Sequence, residues 1–136
     1  MKAVNPLRPP GARRPRLAWS LRVLVTTHLA GVLAQAALAG MFVTGDVGML
    51  AAHRDNAVVT HVLTFSMTVA AVLVWRPARG PAWPAWTGGG LIVAENVQIV
   101  LGQERILGLH MPLGMLIFGV SAVLTVWAWR WTGAAR

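Results

Sequence analysis

The sequence predicts an all-α integral membrane protein: a bundle of four transmembrane helices with both termini on the cytoplasmic side. Three observations predict it. The 136 residues are 56% hydrophobic and only 12% charged, against about 25% in an average soluble domain. The apolar residues fall into four blocks separated by short polar turns, each close to the roughly 20 residues a helix needs to cross a hydrocarbon core. The basic residues gather on one side of the pattern those blocks imply. Helices are expected over 20–43, 54–75, 84–102 and 108–129, inside a bundle of residues 20–130. A basic, proline-rich tail over 1–19 precedes it and a short tail over 131–136 follows.

Pro6, Pro9, Pro10 and Pro15 stand among basic residues, so the N-terminal stretch reads as an irregular tail lying against anionic lipid. The first apolar segment is long, lacks a small-residue cleavage site before a hydrophilic domain, and is followed by three more blocks. It reads as a membrane helix rather than a signal peptide. Its Gly31, Ala34, Ala37 and Gly40 permit close helix contact. The second segment opens with AAHRDNAVVTH. The third carries Gly88, Gly89 and Gly90, which are not a phosphate loop, because no strand precedes and no lysine follows them. The fourth opens with GLHMPLG. Pro112 suits a first helical turn, and Gly108 and Gly114 leave room for a bulky ligand near the backbone.

Lys2, Arg8, Arg13, Arg14, Arg16 and Arg22 precede or open the first helix. Arg76 and Arg79 lie between the second and third, and Arg130 and Arg136 end the chain. Only Arg54 and Arg105 fall on the other side, so both termini are expected in the cytoplasm of a bacterium, with the chain in its inner membrane. The formal charge of +8 is what this topology requires. Nucleic acid is an unsuitable partner, since no stacking aromatics accompany the basic residues. Trp19, Trp75, Trp83, Trp86, Trp127, Trp129 and Trp131 all fall at the expected cytoplasmic ends, where their amphipathic rings suit the headgroup level. With no cysteine, the chain has no residue for a disulfide, thiolate catalysis or an iron–sulfur cluster.

Ionisable groups within a bilayer usually face a protein interior or cavity, so each one needs a role. His53 and His110 open the second and fourth helices, which run in the same direction and bring both rings to a similar depth near the outer face. Diagonal helices of a bundle can hold a planar macrocycle between two imidazoles, which makes the pair candidate axial ligands of a haem. The alternative is a pair of ordinary interfacial histidines. Arg54 and Arg105 are candidates for the haem propionates, or else partners of Asp55, Glu104 or lipid phosphate. His61 lies eight residues beyond His53, about 12 Å deeper. His28 and His61 are read either as hydrogen-bonded structural histidines or as ligands of a second, inner haem. Glu95 is the one acid deep in an apolar segment; His61 is its expected partner, and its expected role is bundle packing through hydrogen bonds, or else proton relay or quinone contact. Gln35 and Gln98 stand at similar depths on the first and third helices, where either can line a ligand cavity or bridge helices.

The stretches LAQAALAGMF, AAHRDNA and VQIVLGQERILGLHMPLGMLIFG carry a resemblance. The chain resembles one four-helix half of the haem A synthase family, whose halves each bear histidines at the outer ends of the second and fourth helices. The resemblance implies that His53 and His110 are axial ligands of a b-type haem. The catalytic half of that family has a glutamate three residues before its histidine–arginine pair, where this chain has Leu50. The cysteine pair of some members is absent, and one half alone is matched. The resemblance therefore implies a cofactor-holding or electron-transfer unit, homodimeric if the two-half arrangement is rebuilt, rather than a haem hydroxylase. The chain also resembles a family of short, uncharacterised four-helix bacterial membrane proteins with a histidine after the first helix and another opening the fourth.

The leading expectation is a membrane b-type cytochrome passing single electrons, with a quinol or a redox protein as partner. A haem-handling or oxidase-assembly protein is a second class, and a cofactor-free transporter or structural membrane protein a third.

Overall fold

The computed structural model describes residues 13–132. The described residues form four helices and no strand: α1 (Arg13–Val43), α2 (Met49–Trp75), α3 (Trp83–Gln103) and α4 (Leu107–Arg130). Helix α1 packs on α2 and α4, and α3 packs on the same two. The square that results puts α1 opposite α3 and α2 opposite α4. The expected tail over 131–136 falls mostly outside the described residues; of the expected tail over 1–19, residues 1–12 lie outside them and residues 13–19 belong to α1.

Two helices begin earlier than the sequence suggested. Helix α1 starts at Arg13 and includes Pro15, which is tolerated because the first-turn N–H groups have no partner within a helix. Helix α2 starts at Met49, so His53 sits in its second turn rather than at its tip. The compact preceding turn explains this. Gly45 takes φ +114°, Asp46 N–H donates to the Met41 carbonyl at 3.1 Å, and Gly48 N–H donates to the Asp46 carboxylate at 3.2 Å. A left-handed residue after the last helical turn closes the open carbonyls and reverses the chain within a few residues. Helix α3 ends in the same way. Ile106 N–H donates to the Leu101 carbonyl at 2.9 Å, and Arg105 holds φ +58° where glycine is usual.

Helices α1, α2 and α4 are each long and apolar enough to cross a membrane, over Pro15–Val43, Met49–Trp75 and Leu107–Arg130. Helix α3 has 21 residues, about 31 Å of helix, but Glu95, Asn96 and Gln98 dilute its apolar character. Outward-facing Val58, Val62, Val69, Val93 and Val97 are among the many exposed large apolar side chains, a surface suited to lipid rather than water.

The two ends of the bundle differ. Toward the start of α1 the interior is filled by Leu21, Val25, Met67, Val74 and Leu124, all nearly inaccessible. Gly88 lets α3 close directly onto Thr68 of α2; a Cβ there would collide with the threonine hydroxyl. All seven tryptophans join the closure of this end. Trp83 meets Trp127, Trp127 stacks on Trp131, Trp19 meets Trp129, and Trp75 meets Trp86. Arg22 crosses from α1 to donate to the carbonyls of Ala128 at 3.0 Å and Trp131 at 2.7 Å. A guanidinium thus satisfies carbonyls that the end of α4 leaves open, and its charge complements the helix dipole. In the sequence Arg22 is one of several basic residues on the same side of the membrane, with nothing to mark this contact.

Replacing Arg22 by alanine should leave two part-buried carbonyls unpaired and lower stability by about 2 kcal/mol, read as an earlier unfolding transition in detergent. Arg105→Gly should act in the opposite sense, raising stability by about 1 kcal/mol through relief of a left-handed backbone; no change in the transition would show that the turn carries no strain.

Candidate functional site

The other end of the bundle is hollow. A cavity of about 770 Å³ opens between the helices, walled by Val32, Ala36, His53, Gln98, His110 and Phe118 among others, with Glu95 and Thr60 at its deep side. That volume lies within the roughly 300–1,000 Å³ of small-molecule and cofactor sites. Its walls are apolar apart from a few converging polar groups, as such sites usually are.

His53 and His110 come from diagonal helices and face each other with ring centroids 6.4 Å apart and planes inclined by 52°. Each is fixed by the helix that precedes it in sequence. His53 Nδ1 lies 3.1 Å from the main-chain carbonyl of Gln35, and His110 Nδ1 lies 2.9 Å from that of Gln98. A carbonyl can only accept, so both Nδ1 atoms carry the proton and donate. In a neutral imidazole the other nitrogen, Nε2, is then an unprotonated lone pair. This is the tautomer of a histidine whose Nε2 ligates a metal.

The sequence shows why these two carbonyls are reachable. Four residues beyond each glutamine stands a small residue, Ala39 in α1 and Gly102 in α3. At helical spacing that residue lies over the carbonyl's side of the helix. At Gly102 a Cβ would come within 3.0 Å of the His110 ring. The pattern of glutamine followed four residues later by glycine or alanine was a readable signal for this arrangement, but the glutamines were assigned by their side chains. Those side chains have separate tasks. Gln35 Oε1 accepts from Asn56 Nδ2 at 2.8 Å, and Asn56 Nδ2 also reaches the Gly31 carbonyl at 2.9 Å. Asn56 was not singled out in the sequence. Gln98 Oε1 is buried with no protein partner, on a residue that lines the cavity.

Below the histidine pair lies a cluster centred on Glu95. His28 Nε2 and Thr64 Oγ1 both reach its Oε1, at 2.8 and 2.7 Å, and His61 Nδ1 reaches Oε2 at 2.8 Å. The expected partner His61 is present, joined by His28, which is 1% exposed. The inner histidines therefore each spend one ring nitrogen on the same carboxylate. With the carboxylate ionised, all three groups donate to it. His28 Nδ1 is left buried without a partner, and His61 Nε2 has only Asn96 Nδ2 at 3.4 Å.

Arg54 and Arg105 are exposed, make no ion pair among the described residues, and do not line the cavity. Among the described residues no group of three or more histidine, cysteine, aspartate or glutamate side chains is arranged to hold a metal ion; the paired imidazoles are a set of two.

The fold and site together define a helical membrane bundle with a histidine-paired cavity beside a buried carboxylate. No protein-family model, curated protein or solved structure matches the chain.

Glu95→Leu should strand three donors in the interior and lower stability by about 3–5 kcal/mol, whereas Glu95→Gln, which keeps acceptor capacity on one atom, should lose less. Thermal unfolding of the two variants in detergent gives the comparison; equal losses would mean that the cluster is not held by the carboxylate.

Proposed function

We propose that the protein is a membrane b-type cytochrome that holds one haem between His53 and His110 and passes single electrons. The observation that carries this reading is the spacing and tautomer of the two rings. A metal–nitrogen bond is roughly 2 Å and an imidazole nitrogen lies about 1.2 Å from its ring centre, so two imidazoles that held one metal between them would have centroids up to about 6.4 Å apart. The observed separation is 6.4 Å. The cavity that both histidines line, with Gly114 and Gly40 presenting no side chain to it, supports the fit of a large flat group.

Haem, when bound, supplies a one-electron iron couple. The chain's own residues do the rest. His53 and His110 orient their lone pairs through the Gln35 and Gln98 carbonyls, which raises ligand basicity and locks ring direction. Ala36, Ile99 and Phe118 give the cavity apolar walls. Gln98 Oε1 offers a buried acceptor. Arg54 and Arg105 are the cations available to the propionates from outside the cavity. Held by both histidines, a haem would supply electron transfer rather than oxygen activation. The inner pair, bridged by Glu95, reads as a hydrogen-bonded cluster and not as a second haem site. A quinol or a redox protein is the partner class, a homodimer the assembly this reading admits, and the bacterial inner membrane with cytoplasmic termini the location.

The protein purified in detergent should show a reduced-minus-oxidised spectrum of a low-spin b-type haem at one haem per chain. His53→Ala and His110→Ala should each abolish the low-spin signal. No haem after expression with ample haem supply, or an unchanged spectrum in both variants, would sink the reading.

A further inference from the structure

Outside the cavity, two polar groups that the proposed function leaves unused, His61 Nε2 and Asn96, meet between α2 and α3. His61 stands near the middle of α2, and its Nε2 points away from Glu95, which holds the opposite nitrogen. Asn96 is exposed; its Nδ2 donates to the Ile92 carbonyl at 2.8 Å and reaches His61 Nε2 only at 3.4 Å, longer than a good hydrogen bond. Around them the surface is apolar: Val58, Val62, Phe65, Val93 and Val97 are all strongly exposed. His61 Nε2 has only this long contact, and the exposed Asn96 amide makes one good bond among apolar side chains; under-partnered polar groups at this depth are costly, so this small polar island calls for an occupant.

We propose that this face binds the head group of a membrane-soluble quinol through His61, Asn96 and Phe65. A hydroxyl is the smallest group that fits both partners: it can donate to the bare Nε2 of His61 and accept from Nδ2 of Asn96, replacing one long contact by two good ones. Glu95 fixes which nitrogen is bare, because His61 Nδ1–H is committed to Oε2. Phe65, 49% exposed and edge-on to the His61 ring at 5.1 Å between centroids, offers an apolar flank for an aromatic ring. The exposed valines on either side suit its hydrocarbon tail. A water satisfies the same two polar atoms but gains nothing from Phe65 and the valines at this depth. The binding site rests on these polar and apolar groups and not on the proposed function.

The test uses the full chain in lipid nanodiscs, with and without haem, labelled by a photoreactive short-chain benzoquinol kept in its reduced form and mapped by mass spectrometry. Saturable labelling on α2 and α3 is expected, displaced by decyl-benzoquinol and at least tenfold less well by its dimethyl ether, which cannot donate. Asn96→Leu and Phe65→Ala should each weaken displacement at least tenfold, while Val126→Leu on α4 leaves it unchanged. Asn96→Leu removes an exposed amide in favour of a lipid-compatible side chain, so folding is retained, and an unaltered unfolding transition checks this. Labelling that is unsaturable or lies elsewhere, equal competition by the ether, or wild-type behaviour of Asn96→Leu would overturn the site. Dissociation of a dimer by Asn96→Leu, without loss of bound quinol, would overturn it in favour of contact with a second copy. Loss of the haem reading would appear in the spectrum alone, with haem-free labelling unchanged.

Discussion

The carboxylate of Glu95 is the constraint on which the rest of the bundle depends. A charge at this depth is tolerable only when it is surrounded by donors. The donors come from His28 on α1 and from His61 and Thr64 on α2. One side chain of α3 therefore sets the depth of that helix against two neighbours, and it does so with directional bonds rather than with interchangeable apolar contacts. Because lipid is as apolar as the bundle core, such polar contacts and close small-residue packing must select the arrangement that hydrophobicity selects in water. The cluster also divides the interior. On one side of it the core is filled, and on the other the walls part to form the cavity.

The cavity end is built twice from the same parts. Each hairpin contributes a glutamine whose carbonyl holds a histidine ring, a small residue four positions on, and a turn closed by a left-handed residue. The side chains of the two halves differ. Asn56 secures Gln35 in the first hairpin, and the equivalent amide of Gln98 is left with an open oxygen on the cavity side. Placing both imidazoles on helices, with their rings held by main-chain acceptors, gives a rigid pair whose lone pairs are available without rearrangement.

The opposite end supplies the rigidity this needs. Arg22 ties α1 to the last carbonyls of α4, and the paired tryptophans fill the gaps between helix ends. Belt tryptophans are ordinarily explained by the headgroup region alone. Here they also pack on one another, and Arg22 and Arg76 lie over the rings of Trp129 and Trp75. A closed end and a hollow end on the same four helices let the bundle keep its shape around an opening at one side.

Composition and block lengths by themselves determined the class: too few charges for a soluble surface, and apolar stretches matched to a bilayer. The positions of His53 and His110 after the two like-sided turns were equally legible, because helix direction alternates and depth follows from residue count. Glu95 announced itself as a lone acid in an apolar run, and His61 as a partner within reach. Tertiary structure decided what a one-dimensional count does not contain. Rotation about each helix axis turned His28 onto Glu95, which takes up its Nε2. The backbone, invisible in side-chain chemistry, provided the acceptors that fix which nitrogen of His53 and His110 is free. Arg22 looked like one more positive-inside charge until the end of α4 arrived beside it. Helix existence and depth are local properties of the chain, while the partner of a polar group depends on which helices become neighbours and how each is rotated.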